Sequence, residues 1–203
     1  MRGEIDVSRS LLAESPEPDE PGRVYSAGLA QTEALVEMLA DRPEVAEERL
    51  RTALGVLEQM GEKALLSSTA AMLAQALYDQ GRLDDAEEAA RLSRENAAGE
   101  DVSPQIVWRG VQAKILARRG ETYDAETLAR EAVEIAAATD FLTYHSDALS
   151  DLAEVLEAAG RAEEAREAVR SALDLYEEKG NLVSAGRARR RLGPGHDLSG
   201  GAG

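Results

Sequence analysis

Cysteine is absent from the 203 residues, which excludes disulfide frameworks, thiolate metal sites and cysteine nucleophiles. Histidine is nearly absent too: His145 and His196 form neither an HExxH motif nor a pair spaced for a metal, so no metal or cofactor is expected. No GxxxxGK[ST] occurs, nor a GxGxxG after a strand, which leaves nucleotide chemistry without a phosphate loop and points away from an enzyme. About 18 consecutive apolar residues are found nowhere, and the first 15 lack the apolar stretch of a signal peptide. Cytoplasmic residence is the expectation. Cations are also in short supply, Lys+Arg 23 against Asp+Glu 39, giving 23 − 39 = −16. That charge repels phosphate backbones and anionic lipid, so nucleic acid and membrane surfaces are poor partners.

Aromatic residues make up only 3%, while hydrophobic residues reach 43%, a normal globular share. Alanine fills 36 positions. This mixture suits closely packed helices and offers a sheet little to pair.

The main signal is an internal repeat. Leu77 opens LYDQGRLDDAEEA, Leu116 opens LARRGETYDAETLA and Leu156 opens LEAAGRAEEAREAV, with turn glycines at Gly81, Gly120 and Gly160. The spacings are 120 − 81 = 39 and 160 − 120 = 40. A step of 40 back from Gly81 reaches Asp41, and a further 38 reaches Gly3. Small residues recur in register with these turns. Seven before stand Ala34, Ala74, Ala113 and Ala153; five after, Ala46, Ala86, Ala125 and Ala165, with Ser8 leading; twelve after, Ala53, Ser93, Ala132 and Ala172. Small side chains at fixed places in every unit are what helices that cross closely require.

Each unit reads as two helices meeting at the turn. Apolar residues between Ala64 and Tyr78 follow a 3.6 period, as do Leu83, Ala86, Ala89, Ala90 and Leu92 after it. Gly61, Gly99 and Gly180 stand where left-handed caps would end second helices, and Pro43 and the Ser103-Pro104 pair mark helix starts. Helices are expected near 4 to 14, 24 to 40, 43 to 60, 63 to 80, 82 to 98, 104 to 119, 122 to 138, 141 to 159, 161 to 179 and 182 to 192. The proline-rich stretch 14 to 23 reads as a loop and the glycine-rich 193 to 203 as a flexible tail. The fold class is therefore all-α: an α-α superhelix, or solenoid, of about four and a half helix pairs over residues 1 to 192, closed by a C-terminal capping helix that carries Arg187, Arg189, Arg190 and Arg191.

The small-residue columns around each turn glycine resemble the tetratricopeptide repeat, with Leu77 to Gly81 and Asp85-Ala86 matching its turn region. The period of 39 to 40 exceeds the ordinary unit of about 34. Such units resemble the long subclass found in LuxR-type ATPase regulators, including the maltose activator, and, through Val107 to Ala136, the C-terminal arrays of actinobacterial cyclase proteins with an AAA-type ATPase. The resemblance implies a non-enzymatic interaction scaffold that takes a peptide or protein partner in the concave groove. The alternative is a sensory region, detached from a larger signalling regulator, that binds a small effector.

Groove candidates are the polar or aromatic residues of first helices: Gln75, Tyr78, Trp108, Arg109, Gln112, His145 and Asp147. Paired carboxylates on second helices, such as Glu87/Glu88 and Glu163/Glu164, read as a solvated outer face. Met1 falls almost on a repeat turn, so the leading half unit carries an apolar face of Ile5, Val7, Leu11 and Leu12. Self-association through that face is a further expectation.

Overall fold

The computed structural model describes residues 23–193 and, ahead of them, Ile5, Val7, Ser8 and Ser10, all helical. Leu11 and Leu12, the expected loop from Glu14 to Gly22 and the expected tail beyond Gly193 lie outside the described residues. Between residues 23 and 192 run α1 (Arg23–Leu39), α2 (Pro43–Met60), α3 (Lys63–Asp79), α4 (Leu83–Asn96), α5 (Val102–Arg118), α6 (Thr122–Ala137), α7 (Leu142–Ala158), α8 (Ala162–Lys179) and α9 (Leu182–Leu192). The described residues contain no strand.

Consecutive helices pack on one another, and the odd-numbered ones also pack in series, α3 on α5 and α5 on α7. The odd helices thereby form an inner layer and the even helices an outer one. The alanine columns explain why the layers sit so close. Ala34, Ala74, Ala113 and Ala153 are wholly buried on the inner helices, as are Ala46, Ala86 and Ala125 on the outer ones. Ser93 takes the small place in α4, and Ser67 Oγ donates to its carbonyl at 3.0 Å, so this polar pair at a crossing is satisfied. Larger side chains fill the space between the crossings: Leu50, Leu57 and Leu77 in the N-terminal half, Val155, Leu156 and Leu173 in the C-terminal half.

Chain reversal at the turns uses positive φ, +76° at Gly81, +86° at Gly120 and +76° at Gly160. A side chain is strained there, which accounts for glycine in the column. Asp41 alone among the described non-glycine residues has positive φ, +58°.

The register matches the expectation, and the differences lie at the α4–α5 junction. α4 stops at Asn96, whose Nδ2 donates to the Leu92 carbonyl at 2.9 Å, and Ala97 turns extended with ψ 124°. Gly99 is consequently no left-handed cap, whereas Gly61 and Gly180 are. α5 begins at Val102 with Asp101 as its capping position, so Ser103 and Pro104 both lie within its first turn. Proline fits there because no N–H of that turn has an intrahelical acceptor.

An outer seam ties each repeat to the next. Glu47, Glu87 and Glu126 each stand six residues after their turn (47 − 41, 87 − 81, 126 − 120). They meet Arg82 at 2.8 Å, Arg119 at 2.9 Å and Arg161 at 2.5 Å, each arginine coming from the following turn.

Candidate functional site

The inner layer carries a network of charges that the repeat alone does not foretell. Six residues before each turn stand Gln75, Lys114 and Glu154 (81 − 75, 120 − 114, 160 − 154). This column falls on the inner face of α3, α5 and α7. Lys114 is its centre: its side chain is 3% exposed, and Nζ lies 2.7 Å from Asp151 Oδ1 and donates to Gln75 Oε1 at 2.7 Å. The same ammonium stands 4.7 Å from the Tyr78 ring centroid, a cation–π contact. Gln75 Nε2 in turn donates to Asp79 Oδ1 at 2.7 Å.

Gly110 makes the pairing possible. One turn before Lys114, it leaves the backbone of α5 bare where Asp151 from α7 lies against it; a Cβ at that position would sit 2.2 Å from Asp151 Oδ2. A side chain there would force the Asp151 carboxylate to shift.

Two tyrosines link the hollow to its walls. Tyr78 is buried, and its hydroxyl donates to Glu154 Oε1 at 2.5 Å across two repeats, while Arg118 Nη2 reaches the same oxygen at 2.9 Å. Tyr176 of α8 donates to Asp147 Oδ1 at 2.6 Å. Burial and the neighbouring carboxylates hold both phenols protonated well above their ordinary range.

Electrostatics within the hollow follow from crowding. Burial opposes the Lys114 ammonium, but the charge and hydrogen bond of Asp151, with Asp79 and Glu154 behind it, outweigh that and raise its pKa. Burial pushes Asp79 and Asp151 up. Burial also acts on Glu154, yet the Tyr78 hydrogen bond together with Lys114 and Arg118 brings it below its usual value. The Asp147 side chain is exposed, yet desolvation by the protein around its carboxylate, with Asp151 one turn away, pushes it to about 6 despite the hydrogen bond from Tyr176.

Of the seven groove candidates, Gln75, Tyr78 and Asp147 share this network. Trp108, Arg109 and Gln112 face elsewhere. Trp108 is buried in the core with Arg109 stacked 4.2 Å from its ring, and Arg94 of α4 lies 5.9 Å away. Arg109 Nε lies 3.3 Å from Glu131 of α6, and Gln112 Nε2 donates to Glu87 of α4 at 3.1 Å. His145 is half-buried in the first turn of α7. Residues that sequence reasoning missed are Asp79, Gly110, Lys114, Asp151, Glu154 and Tyr176. The signal for two of them was present, since Lys114 and Glu154 follow directly on the buried alanines Ala113 and Ala153 in an otherwise apolar stretch.

Comparison with known families decides the architecture's identity. Models of the tetratricopeptide repeat match residues 66–95 and 106–178. The chain is a tetratricopeptide-repeat protein. The apo form of the quorum sensor NprR from B. thuringiensis superposes with a TM-score of 0.57 at 15% identity, over 80% of this chain and 46% of that one. This repeat protein thus spans less than half the length of that chain. BtubC (BKLC) from P. vanneervenii superposes with a TM-score of 0.56 at 17% identity, over 93% of this chain and 85% of that one. No curated protein matches. Such identities speak for the fold alone. Tetratricopeptide repeats are in general protein-interaction scaffolds and not catalysts. No helix among the described residues is long and apolar enough to cross a membrane, and none of their His, Asp and Glu side chains cluster to hold a metal ion.

Proposed function

We propose that this tetratricopeptide-repeat protein is a non-enzymatic scaffold that seats a peptide or protein partner against the inner layer formed by α3, α5 and α7. The observation that carries this reading is the contrast between the layers. Both layers spend small residues on packing, but the outer helices pair their charges along an open seam, whereas the inner ones gather Gln75, Asp151 and, through Gln75, Asp79 around the buried Lys114, with Glu154 and Asp147 beside them. Extended repeats bind through such concave faces. The net charge of −16 favours a partner that brings positive charge.

Photo-crosslinking in cells tests this. A crosslinking amino acid at Gln75 or Asp147, on the inner layer, is expected to trap one protein that the same label at Glu88 or Glu163, on the outer layer, does not. Capture from the outer positions alone would overturn the assignment of the face.

A second reading has one observation in its favour. The superposed quorum sensor is more than twice as long as the part matched here, 46% of its chain being covered. The chain would then act as the sensory region of a larger signalling regulator, as the long repeats of LuxR-type and cyclase proteins suggest, with a small effector in the same hollow. Thermal shifts produced by small metabolites and abolished by Asp147→Asn would favour this reading over the first.

A further inference from the structure

α9 does more than cover the last repeat. Arg187 Nη2 donates to the carbonyls of Met38 at 3.1 Å and Leu39 at 3.2 Å, and lies 2.5 Å from Asp41 Oδ1. Those acceptors belong to the C-terminal end of α1 and the turn after it, 146 to 149 residues away. A side chain of the last helix thus reaches the end of the first one.

The other arginines of α9 behave differently. Arg189 pairs with Glu177 of α8, and Arg191 with Glu157 of α7, both on neighbouring helices. Arg187 instead reaches α1 and the turn after it, and no extensive packing of α9 on α1 accompanies it among the described residues.

The acceptor side shows the mark of this contact. The three turns that follow carry glycine at positive φ, but the first carries Asp41 at φ +58°, a conformation that disfavours a side chain. Glycine there would remove the strain and with it the carboxylate. We infer that α9 is a latch that closes the array into a ring, with Arg187 as its bolt and Asp41, kept against the turn's preference for glycine, as its catch. The bolt uses what a guanidinium offers: one charged planar group bridges two main-chain carbonyls at the negative end of a helix and a carboxylate. The Asp41 side chain is 84% exposed, and exposed pairs are weak and screened by salt. The latch is therefore built to open, and opening it uncovers the hollow.

The test uses the full chain, whose lack of cysteine permits clean labelling. Spin labels at Glu44→Cys on α2 and Arg190→Cys on α9, both exposed, report the closure by pulsed dipolar spectroscopy. At low salt the otherwise wild-type chain is expected to give one narrow, short distance. Arg187→Ala and Asp41→Gly should each broaden it and move it to longer values, as should 1 M salt. Asp41→Gly is the decisive variant, because it relieves backbone strain and so cannot open the ring by unfolding the turn; unchanged circular dichroism confirms that. A broad distribution in the starting chain, or survival of the narrow one in either variant, overturns the latch.

Discussion

The outer seam and the inner hollow both hold repeats together by charge, yet they do so in opposite ways. On the outside one device is copied three times: a glutamate six residues after a turn meets an arginine of the next turn. All these partners are partly open to water. On the inside, one column reads Gln75, Lys114 and Glu154 in successive units, so that no contact is repeated and each depends on the next. The difference teaches where the period stops being informative. A feature present in every unit serves the stacking of units, and a feature present once serves this particular protein.

Removing the centre of the hollow is the strongest way to break the comparison. Lys114→Met leaves Asp151 without its cation in a crowded site, which is expected to cost about 3–5 kcal/mol. Chemical denaturation measures it. The paired variant Lys114→Met with Asp151→Leu should recover much of the loss, because an apolar pair of similar volume avoids the desolvation that the ions incur. No recovery would mean that Gln75 and Asp79 need the ammonium as well.

Overpacking is expected to come next, and it applies to the architecture common to all units. Ala125 is wholly buried at a helix crossing, and leucine there should cost about 1–3 kcal/mol. Gly110→Ala belongs beside it but sets two effects against each other. Alanine in a helix interior gains about 1 kcal/mol over glycine. Against that, its Cβ would meet Asp151 Oδ2 at 2.2 Å and prise the carboxylate from Lys114. The second effect is larger, so the variant should be destabilised, and should regain alanine's benefit once Lys114→Met and Asp151→Leu are already in place. Urea midpoints of the four chains decide the matter.

How much of this was legible follows from the same distinction. The columns at Ala74, Ala86 and Ser93 were visible because they recur, and recurrence needs no knowledge of contacts. Tyr78 and Asp147 were visible as polar residues on inner helices, but their partners were not: Glu154 lies 76 residues beyond Tyr78, a separation set by how tightly the superhelix winds. Trp108 and Gln112 stand on the same helix as Lys114 yet face α4, because the small Ala113 between them marks a crossing and the faces on either side of it diverge. Asp41 could be placed in the turn column by counting, whereas the reason it is not glycine lies in α9, at the far end of the chain.

A pH profile sharpens the comparison further. Desolvation by the surrounding protein, with the Asp151 charge added to it, pushes Asp147 from its ordinary 3.8 up to about 6, which Tyr176, Lys114 and Arg187 offset only in part. The folded chain then binds more protons than the unfolded one between those values, so this group's contribution to stability falls as pH rises through about 4 to 6. Asp147→Asn should accordingly be more stable than the parent at pH 7.5 and indistinguishable from it near pH 3.5. A destabilised variant at pH 7.5 would show that Arg187 pairs with Asp147 strongly enough to reverse the balance.

The smallest effect belongs to the outer seam. Hydrogen bonds from Arg130 and Arg161 hold Glu126 below its ordinary range, so the sign is opposite: its contribution is present at neutral pH and lost as pH falls through the lowered value. Glu126→Gln should shift the denaturation midpoint only slightly at low salt. At about 0.5 M salt that shift should vanish, because charges this open to water are screened, while the loss caused by Lys114→Met should persist under the same salt. Equal salt sensitivity of the two variants would mean that the hollow admits water as freely as the seam does, and the division between a stacking surface and a protein-specific interior would fall.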